Sequence, residues 1–222
     1  LRLYKAYGRN AVSVISENPY RLVDELYGFG FRKADQVAEK MGVAGDSPFR
    51  IQSGIKYGLT AYVNDGSTYV PRDILCEKVA EMLELTREQI ADGIFDLIIS
   101  GDIQMDEIDG EKVTYLFSFY NGEQTVCRNL NSLAKAELKT LTVDIDKCIE
   151  MTENTTEVYL SESQKSAVKK SVQSGVSVIT GGPGTGKTTI INTIINIFEE
   201  NDFKVAIAAP TGRAAKRITE TS

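Results

Sequence analysis

The sequence predicts a multidomain fold, in which an α-helical region and an α+β module precede the start of an α/β domain. Three observations predict it. A Gly-x-Gly turn separates two helical patterns near the N-terminus, two helices and a β-hairpin follow in the middle, and a glycine-rich loop lies between an apolar run and a helix near the C-terminus. The expected boundaries are residues 1–45, 46–120, 121–159 and 160–222.

Composition excludes several classes of protein. The chain has 222 residues, 42% of them hydrophobic and 25% charged, as in ordinary soluble proteins. No apolar run approaches the roughly 20 residues that span a bilayer, so no membrane partner is expected. Three scattered cysteines and no histidine disfavour disulfide scaffolds, zinc sites and His-dependent nucleophiles. The scattered cysteines favour the reducing cytoplasm. Because the chain starts without Met and stops at Thr221-Ser222 in the middle of a likely helix, we expect a fragment of a longer protein.

Charge is distributed unevenly along the chain. Residues 46–160 carry 21 acidic and 10 basic side chains, although the net charge of the chain is only −6. Residues 1–45 carry 7 basic and 5 acidic side chains, and residues 161–222 carry 8 basic and 5 acidic ones. The two ends can therefore approach phosphates, whereas the middle repels them.

The N-terminal region predicts a helix-hairpin-helix. Asn18 and Pro19 are typical of a helix start, a Gly-x-Gly turn ends that helix, and a second helix is expected over residues 32–41. Such a turn can present backbone N–H groups to a DNA phosphate beside two cations. The candidate DNA-binding residues are Gly28, Gly30, Arg32 and Lys33. An αα-corner whose glycines only permit the turn is an equally good interpretation.

The middle of the chain predicts a winged-helix-like module. Helices are expected over residues 49–63, 71–83 and 86–99, the last opened by a capping box of Thr86 and Gln89. The Asp109-Gly110 pair between two β-prone runs predicts a hairpin over residues 103–117. Because this module is acidic, a scaffold or protein-contact role is favoured over DNA binding. Five aromatic residues are predicted to be core: Tyr62, Tyr69, Phe95, Tyr115 and Phe117.

Beyond the module, residues 122–139 predict a helix and residues 141–159 a polar connector of uncertain structure. Ser161 then opens a helix that reaches about residue 173. Short strands are predicted over residues 176–180 and 204–209, with a helix over 187–200 between them. This order is a βαβ unit, which implies a parallel sheet.

Residues 181–188 match GxxxxGK[ST] between a predicted strand and a predicted helix, the context expected of a P-loop. Its backbone N–H groups and the helix N-terminus can bind the phosphates of ATP, Lys187 can reach the β- and γ-phosphates, and the Thr188 hydroxyl can ligate Mg²⁺. The expected nucleotide-binding residues are Gln164, Gly182, Pro183, Gly184, Thr185, Gly186, Lys187, Thr188 and Thr189. No acidic residue after a third strand is evident, so the chain alone is expected to hydrolyse ATP poorly.

Read together, these motifs resemble a known family. NPYRL at residues 18–22, GFGFRKAD at 28–35, LSESQ at 160–164 and APTGRAA at 209–215 resemble RecD/TraA-type superfamily 1 DNA helicases of the longer, RecD-like form. The resemblance implies an ATP-dependent 5′–3′ DNA helicase of recombination or repair, with a RecA-like motor domain. Its implied partners are single-stranded DNA, DNA junctions and the subunits of an exonuclease complex.

Further residue roles follow from the resemblance. It implies that Gln164 recognises adenine and that Thr211, Gly212 and Arg213 lie near the DNA backbone. From the residues alone, Gln164 can equally form a capping box with Ser161. Two other functions stay open: a DNA-binding adaptor module that uses nucleotide as a switch, and a P-loop ATPase unrelated to nucleic acid.

Overall fold

A computed structural model describes residues 2–139 and 141–212 of the chain. The chain forms two compact units, Leu1–Thr125 and Val126–Ser222. The boundary between them falls inside one helix, α8 (Phe117–Lys135). The four-part division predicted from the sequence remains a prediction.

The first unit begins with short helices. They are α1 (Arg2–Tyr7), a 3-10 helix (Gly8–Asn10), α2 (Ala11–Glu17), α3 (Arg21–Glu25) and α4 (Phe31–Lys40). The Asn18 side chain accepts a hydrogen bond from the backbone N–H of Tyr20 at 3.0 Å, in the turn that precedes α3. Gly42, with φ of +76°, follows the end of α4 in the left-handed conformation expected of it.

The rest of the first unit has winged-helix order. It comprises α5 (Pro48–Asn64), β1 (Tyr69–Pro71), α6 (Arg72–Leu83), α7 (Arg87–Ser100), β2 (Ile103–Ile108) and β3 (Glu111–Leu116). The strands form an antiparallel sheet in the order β1-β3-β2. The predicted helices and hairpin are confirmed, including the Thr86–Gln89 capping box and the positive φ angles of Asp109 and Gly110. Strand β1 was not predicted, because three residues ending in proline carry no alternating pattern.

One apolar core joins the N-terminal helices to the winged-helix module. Helix α5 lies at its centre and contributes Ile51, Ile55 and Leu59. Tyr20, in the turn before α3, and Phe31, the first residue of α4, belong to the same core. The Phe31 ring stacks on Tyr57 with the ring centroids 5.3 Å apart. Phe31 is therefore a core residue and cannot stack on a base.

Two of the five aromatic residues predicted to be core are exposed. Tyr115 is buried and Tyr62 and Tyr69 are half-buried, but Phe95 is 63% exposed and Phe117 is exposed as well. The prediction was wrong for Phe95 because the buried side of α7 is already filled by Ile90, Ile94 and Leu97. Phe95 lies about 100° further around the helix than Ile94.

In the described part of the second unit, three longer helices follow α8. They are α9 (Ile145–Thr156), α10 (Glu162–Val172) and α11 (Lys187–Glu200). Helix α9 occupies the segment predicted to be a polar connector, and Asp144 caps it by accepting a hydrogen bond from the N–H of Asp146. None of the helices among the described residues is long and apolar enough to cross a membrane.

The two strands of the predicted βαβ unit are not confirmed. Within residues 141–212, the segments 176–180 and 204–209 form no strand pairing. A strand exists only through hydrogen bonds to a neighbour, and successive strands of a crossover unit need not be neighbours. Val178 is 84% exposed, whereas Ile179 packs against the apolar cluster of this unit, so only one face of the segment is covered.

A polar cluster links α4 to α5 in the first unit. Arg50 donates to both carboxylate oxygens of Asp35, at 2.8 and 3.1 Å, and to the backbone oxygens of Gly45 and Leu83. The Tyr20 hydroxyl donates to Asp35 at 2.6 Å. Burial alone would raise the pKa of Asp35, but the hydrogen bonds from Arg50 and Tyr20 and the charge of Arg50 outweigh it, so that this pKa is lowered.

Replacing Asp35 with Asn should lower the free energy of unfolding by about 2 kcal/mol at neutral pH, since charged hydrogen bonds to a half-buried group are lost. The folded-state pKa of Asp35 is depressed, so its contribution is present above the unfolded pKa of about 3.9 and is lost as pH falls through the folded value. Urea unfolding between pH 7 and pH 3 measures both effects. Asp24→Asn, which removes a more exposed pair with Lys56, should change stability by less than about 1 kcal/mol. Equal effects of the two substitutions would contradict the assignment.

Candidate nucleotide and DNA sites

The P-loop backbone requires glycine at two of its turns. Gly184 and Gly186 have φ angles of +76° and +78°, in the left-handed region that other residues rarely adopt. A Cβ at Gly186 would lie 2.5 Å from Nε2 of Gln164, and a Cβ at Gly181 would lie 2.6 Å from Oγ1 of Thr185. A side chain at Gly186 or Gly181 would therefore require Gln164 or Thr185 to shift.

The loop leads directly into the N-terminus of α11. Gly186 is the N-cap residue and supplies no side-chain hydrogen bond, and the first turn contains no acidic residue. The first N–H groups and the positive end of the helix dipole are therefore directed at the loop without a competing carboxylate. These features fit the phosphates of a nucleotide.

Lys187 closes the loop on itself. Its ammonium group donates to the backbone oxygens of Gly181 and Gly182, each at 2.6 Å. The charge thus lies at the concave side of the loop, where the sequence predicts the β- and γ-phosphates. Thr188 and Thr189 follow it in the first turn of α11 and are half-buried.

A Mg²⁺ ion at this site would be held by the Thr188 hydroxyl together with oxygens of the bound nucleotide. No cluster of three or more Cys, Asp or Glu side chains that could hold a metal ion occurs in the part of the chain that the structure describes. The Thr188 hydroxyl, in the first turn of α11, fits a Mg²⁺ ion that is also held by phosphate oxygens.

Gln164 joins α10 to the P-loop. Its side-chain oxygen accepts from the N–H of Ser161 at 2.7 Å, which completes the capping box that the sequence allowed. Its side-chain nitrogen donates to the backbone oxygen of Thr185 at 3.0 Å. The amide nitrogen has two hydrogens and the oxygen two lone pairs, so one of each is left for a base. Capping therefore does not exclude adenine recognition, which stays a prediction.

Glu153, which the sequence analysis missed, holds the segment that contains Gln164. Its buried carboxylate accepts from the N–H of Leu160 at 2.7 Å and from Nζ of Lys165 at 3.1 Å. The N–H of Leu160 lowers the pKa of Glu153, and Lys165 lowers it further against the opposing effect of burial. The one available signal was its position four residues after Ile149, on the buried side of an unpredicted helix.

A cavity of about 450 Å³ lies between α9 and α11 within the second unit. It borders Thr188 and Thr189, the residues of α11 nearest the P-loop. Its other lining residues come from α9, the following connector and α11: Thr152, Glu153, Thr156, Val158, Leu160, Asn192, Thr193, Ile195 and Asn196.

The hairpin between α3 and α4 exposes the residues predicted to contact DNA. Gly28 has a φ of +79°, and Gly30 is the N-cap of α4 without a side-chain cap. Arg32 and Lys33 are exposed in the first turn of α4, and Tyr27 is fully exposed at the tip. The backbone N–H groups at this helix start and the two cations therefore share one surface.

The predicted DNA contacts near the C-terminus are described only in part. Thr211 and Gly212 are exposed, and a Cβ at Gly212 would meet no atom within 4 Å. Arg213 lies outside the described residues, so the structure says nothing of its position.

Comparison with protein families finds two matches. Residues 1–69 match the family described as the HHH domain of ATP-dependent RecD2 DNA helicases. Residues 164–222 match an AAA domain family. The first match includes the α3–α4 hairpin, and the second runs from Gln164 through the P-loop.

Curated relatives agree with these matches. The chain is 27% identical over its whole length to the ATP-dependent RecD2 DNA helicase of Deinococcus radiodurans, of which it spans 32%. It is 32% identical over 48% of its length to the RecBCD enzyme subunit RecD of Mycolicibacterium smegmatis, of which it spans 19%. A 61-residue segment is 46% identical to the RecBCD enzyme subunit RecD of Haemophilus influenzae, covering 26% of this chain and 10% of that protein. These matches agree with the resemblance seen in the motifs: the chain is similar over its whole length to a protein named as a RecD2 DNA helicase, and it spans about a third of that protein.

Proposed function

We propose that the chain is part of an ATP-dependent DNA helicase that moves 5′ to 3′ and acts in recombination or repair in the cytoplasm. The observation that carries the proposal is the glycine-restricted P-loop at the start of α11, tied by Gln164 to the segment before it. The relatives named as RecD2 helicase and RecBCD subunit RecD support the DNA-processing role and a complex with exonuclease subunits.

ATP with Mg²⁺ would supply the energy of translocation when bound at the P-loop. Residues 182–189 provide backbone N–H groups and the helix N-terminus for the phosphates. Lys187 exchanges its two carbonyl partners for phosphate oxygens, and Thr188 offers its hydroxyl to the metal ion. Gln164 orients the loop through Thr185 and keeps one N–H and one lone pair for adenine.

DNA would be guided by the exposed hairpin and by the start of the segment at residues 211–213. The backbone at Gly28 and Gly30 can approach a phosphate closely, and Arg32 and Lys33 add attraction that depends on salt. Contacts of this kind carry no base information and suit a protein that moves along DNA. Single strands and junctions are the expected substrates.

A second candidate function is a DNA-binding adaptor that uses nucleotide only as a switch. It is favoured by the exposure of the hairpin between α3 and α4, where Arg32 and Lys33 can meet DNA phosphates without any contribution from the nucleotide site. The two functions differ in one measurable respect, since only a helicase motor couples DNA binding to continuous ATP hydrolysis.

DNA-stimulated ATP hydrolysis by the full-length protein tests the motor. Lys187→Ala should reduce the stimulated rate by about a hundredfold or more, because the lysine positions and stabilises the transferred phosphate. Lys204→Ala, which removes an exposed cation after α11, should leave the rate unchanged. Stimulated hydrolysis that survives Lys187→Ala would overturn the site assignment, and a protein that binds ATP but shows no stimulated hydrolysis would support the adaptor.

Glu153 should affect nucleotide binding only indirectly, because it holds in place the segment that carries Gln164. In Glu153→Gln the bond to the Leu160 N–H can persist, but the ion pair with Lys165 is lost, so the segment that carries Gln164 becomes less fixed. We expect the KM for ATP to rise severalfold with kcat nearly unchanged. The matched control is Asp146→Asn, which removes a more exposed ion pair between the same two helices, from Asp146 of α9 to Lys169 of α10. A fall in kcat alone would contradict a positioning role.

Charge reversal at the hairpin tests the DNA contact. The double variant Arg32→Glu and Lys33→Glu should bind single-stranded DNA at least about tenfold more weakly at low salt, and its binding should depend less steeply on salt concentration. Gln36→Glu with Lys40→Glu alters the charge of the other end of α4 and serves as control. Unchanged binding of the hairpin variant in a salt titration would show that the hairpin is only a structural corner.

A further inference from the structure

The outer face of α7 exposes two large apolar side chains. Phe95 and Ile99 are 63% and 71% exposed and lie one helical turn apart. The opposite side of the helix is fully packed, so these two residues are not needed to hold α7 in place.

Carboxylates surround this apolar pair. Glu88 and Asp92 lie on the same face of α7, at helical spacings from Phe95 and Ile99, and Asp96 lies at its margin. All three are exposed, and none forms an ion pair within the described residues. From Glu88 to Glu111 the sequence contains eight carboxylates and no Lys or Arg, a stretch that covers nearly all of α7 and the whole of β2.

This charge pattern excludes several occupants of the face. DNA, an anionic membrane and an acidic peptide would all bring like charge against it. A second copy of the same face would do so as well, since a two-fold interface sets identical residues against each other. A cationic partner with apolar side chains of its own has the complementary pattern.

We propose that the face formed by Glu88, Asp92, Phe95 and Ile99 docks a protein segment whose apolar side chains are flanked by Lys or Arg, as on a basic amphipathic helix. Phe95 and Ile99 supply the apolar centre of the interface, and the carboxylates supply a polar rim that attracts the partner and sets its orientation. This role is independent of the nucleotide site. The winged-helix module would then bind a protein partner, and DNA binding would be the function of the α3–α4 hairpin and the motor domain.

The probe is a fluorescent synthetic helix of 14 residues, Leu on one face and Lys elsewhere, titrated into the full-length protein and followed by anisotropy. Binding should weaken with salt, and a peptide with Glu in place of Lys should not bind. Phe95→Ser with Ile99→Ser should weaken binding at least about tenfold, as expected for central apolar contacts. Val126→Ser with Leu130→Ser is the matched control, because these residues of α8 are 56% and 46% exposed at the same spacing.

The charged rim is tested separately. Glu88→Lys with Asp92→Lys should weaken binding and reduce its salt dependence, whereas Glu137→Lys with Glu150→Lys, which reverses two exposed charges elsewhere, should have little effect. Equal loss in test and control pairs would show non-specific attraction and overturn the proposal. A change of oligomeric state or of DNA affinity in the Phe95/Ile99 variant, without loss of the peptide, would overturn it too. DNA-stimulated ATPase activity measured on the same variants should be unchanged, which separates failure here from failure of the helicase proposal.

Discussion

The close approach of α6 and α7 to α5 is the constraint on which the first unit depends. A Cβ at Gly54 would lie 2.8 Å from Leu83 Cδ1, and one at Gly58 would lie 2.9 Å from Val79 Cγ2. A Cβ at Gly93 of α7 would overlap Cγ2 of Ile51 and lie 3.0 Å from Cδ1 of Ile55. Ile51 is β-branched and cannot turn away within a helix. The two helices are therefore held near the backbone of α5, and this packing fixes which side of α7 faces solvent.

The second unit is organised by a different kind of interaction. Its helices share a smaller apolar cluster, and polar side chains connect them to the P-loop. Cys148 donates to Glu200 at 3.0 Å between α9 and α11, and burial, with this hydrogen bond, raises its pKa to about 11. Glu153 and Gln164 continue the connection from α9 through α10 to Thr185. The loop geometry thus depends on hydrogen bonds between specific groups more than on the volume of a core.

Local chemistry made much of this structure predictable. The capping boxes that open α7 and α10 and the Asp109-Gly110 turn each follow from side chains close in sequence. The left-handed conformations of Gly184 and Gly186 were predictable for the same reason, since the loop motif spans only eight residues. That this loop binds nucleotide remains a prediction, and the contacts of Glu153, which come from a distant segment, were missed.

Features that depend on distant partners were not predictable. Helix α9 is polar enough to resemble a connector, and it is fixed by contacts with α11 such as that of Cys148 with Glu200. Phe95 was assigned to the core because aromatic residues usually are buried, whereas the core positions of α7 were already taken. Residues 176–180 and 204–209 were predicted to be strands, but whether an apolar segment forms a strand depends on a hydrogen-bonding neighbour, which its own sequence does not specify. The role of Glu153 was not predictable because it depends on the turn after α9, which places the N–H of Leu160 next to the carboxylate.

The bonds of Lys187 to its own loop have a consequence for how an anion is received. Two carbonyl oxygens already satisfy the ammonium group, so an arriving phosphate competes with them and only the difference in strength contributes to affinity. A doubly charged oxygen cluster wins that competition easily, whereas a neutral or weakly charged ligand does not. If the loop binds phosphate as proposed, selectivity for highly charged ligands would therefore precede any contact with base or sugar. A ligand would have to bind Lys187 more strongly than the carbonyl oxygens of Gly181 and Gly182 do.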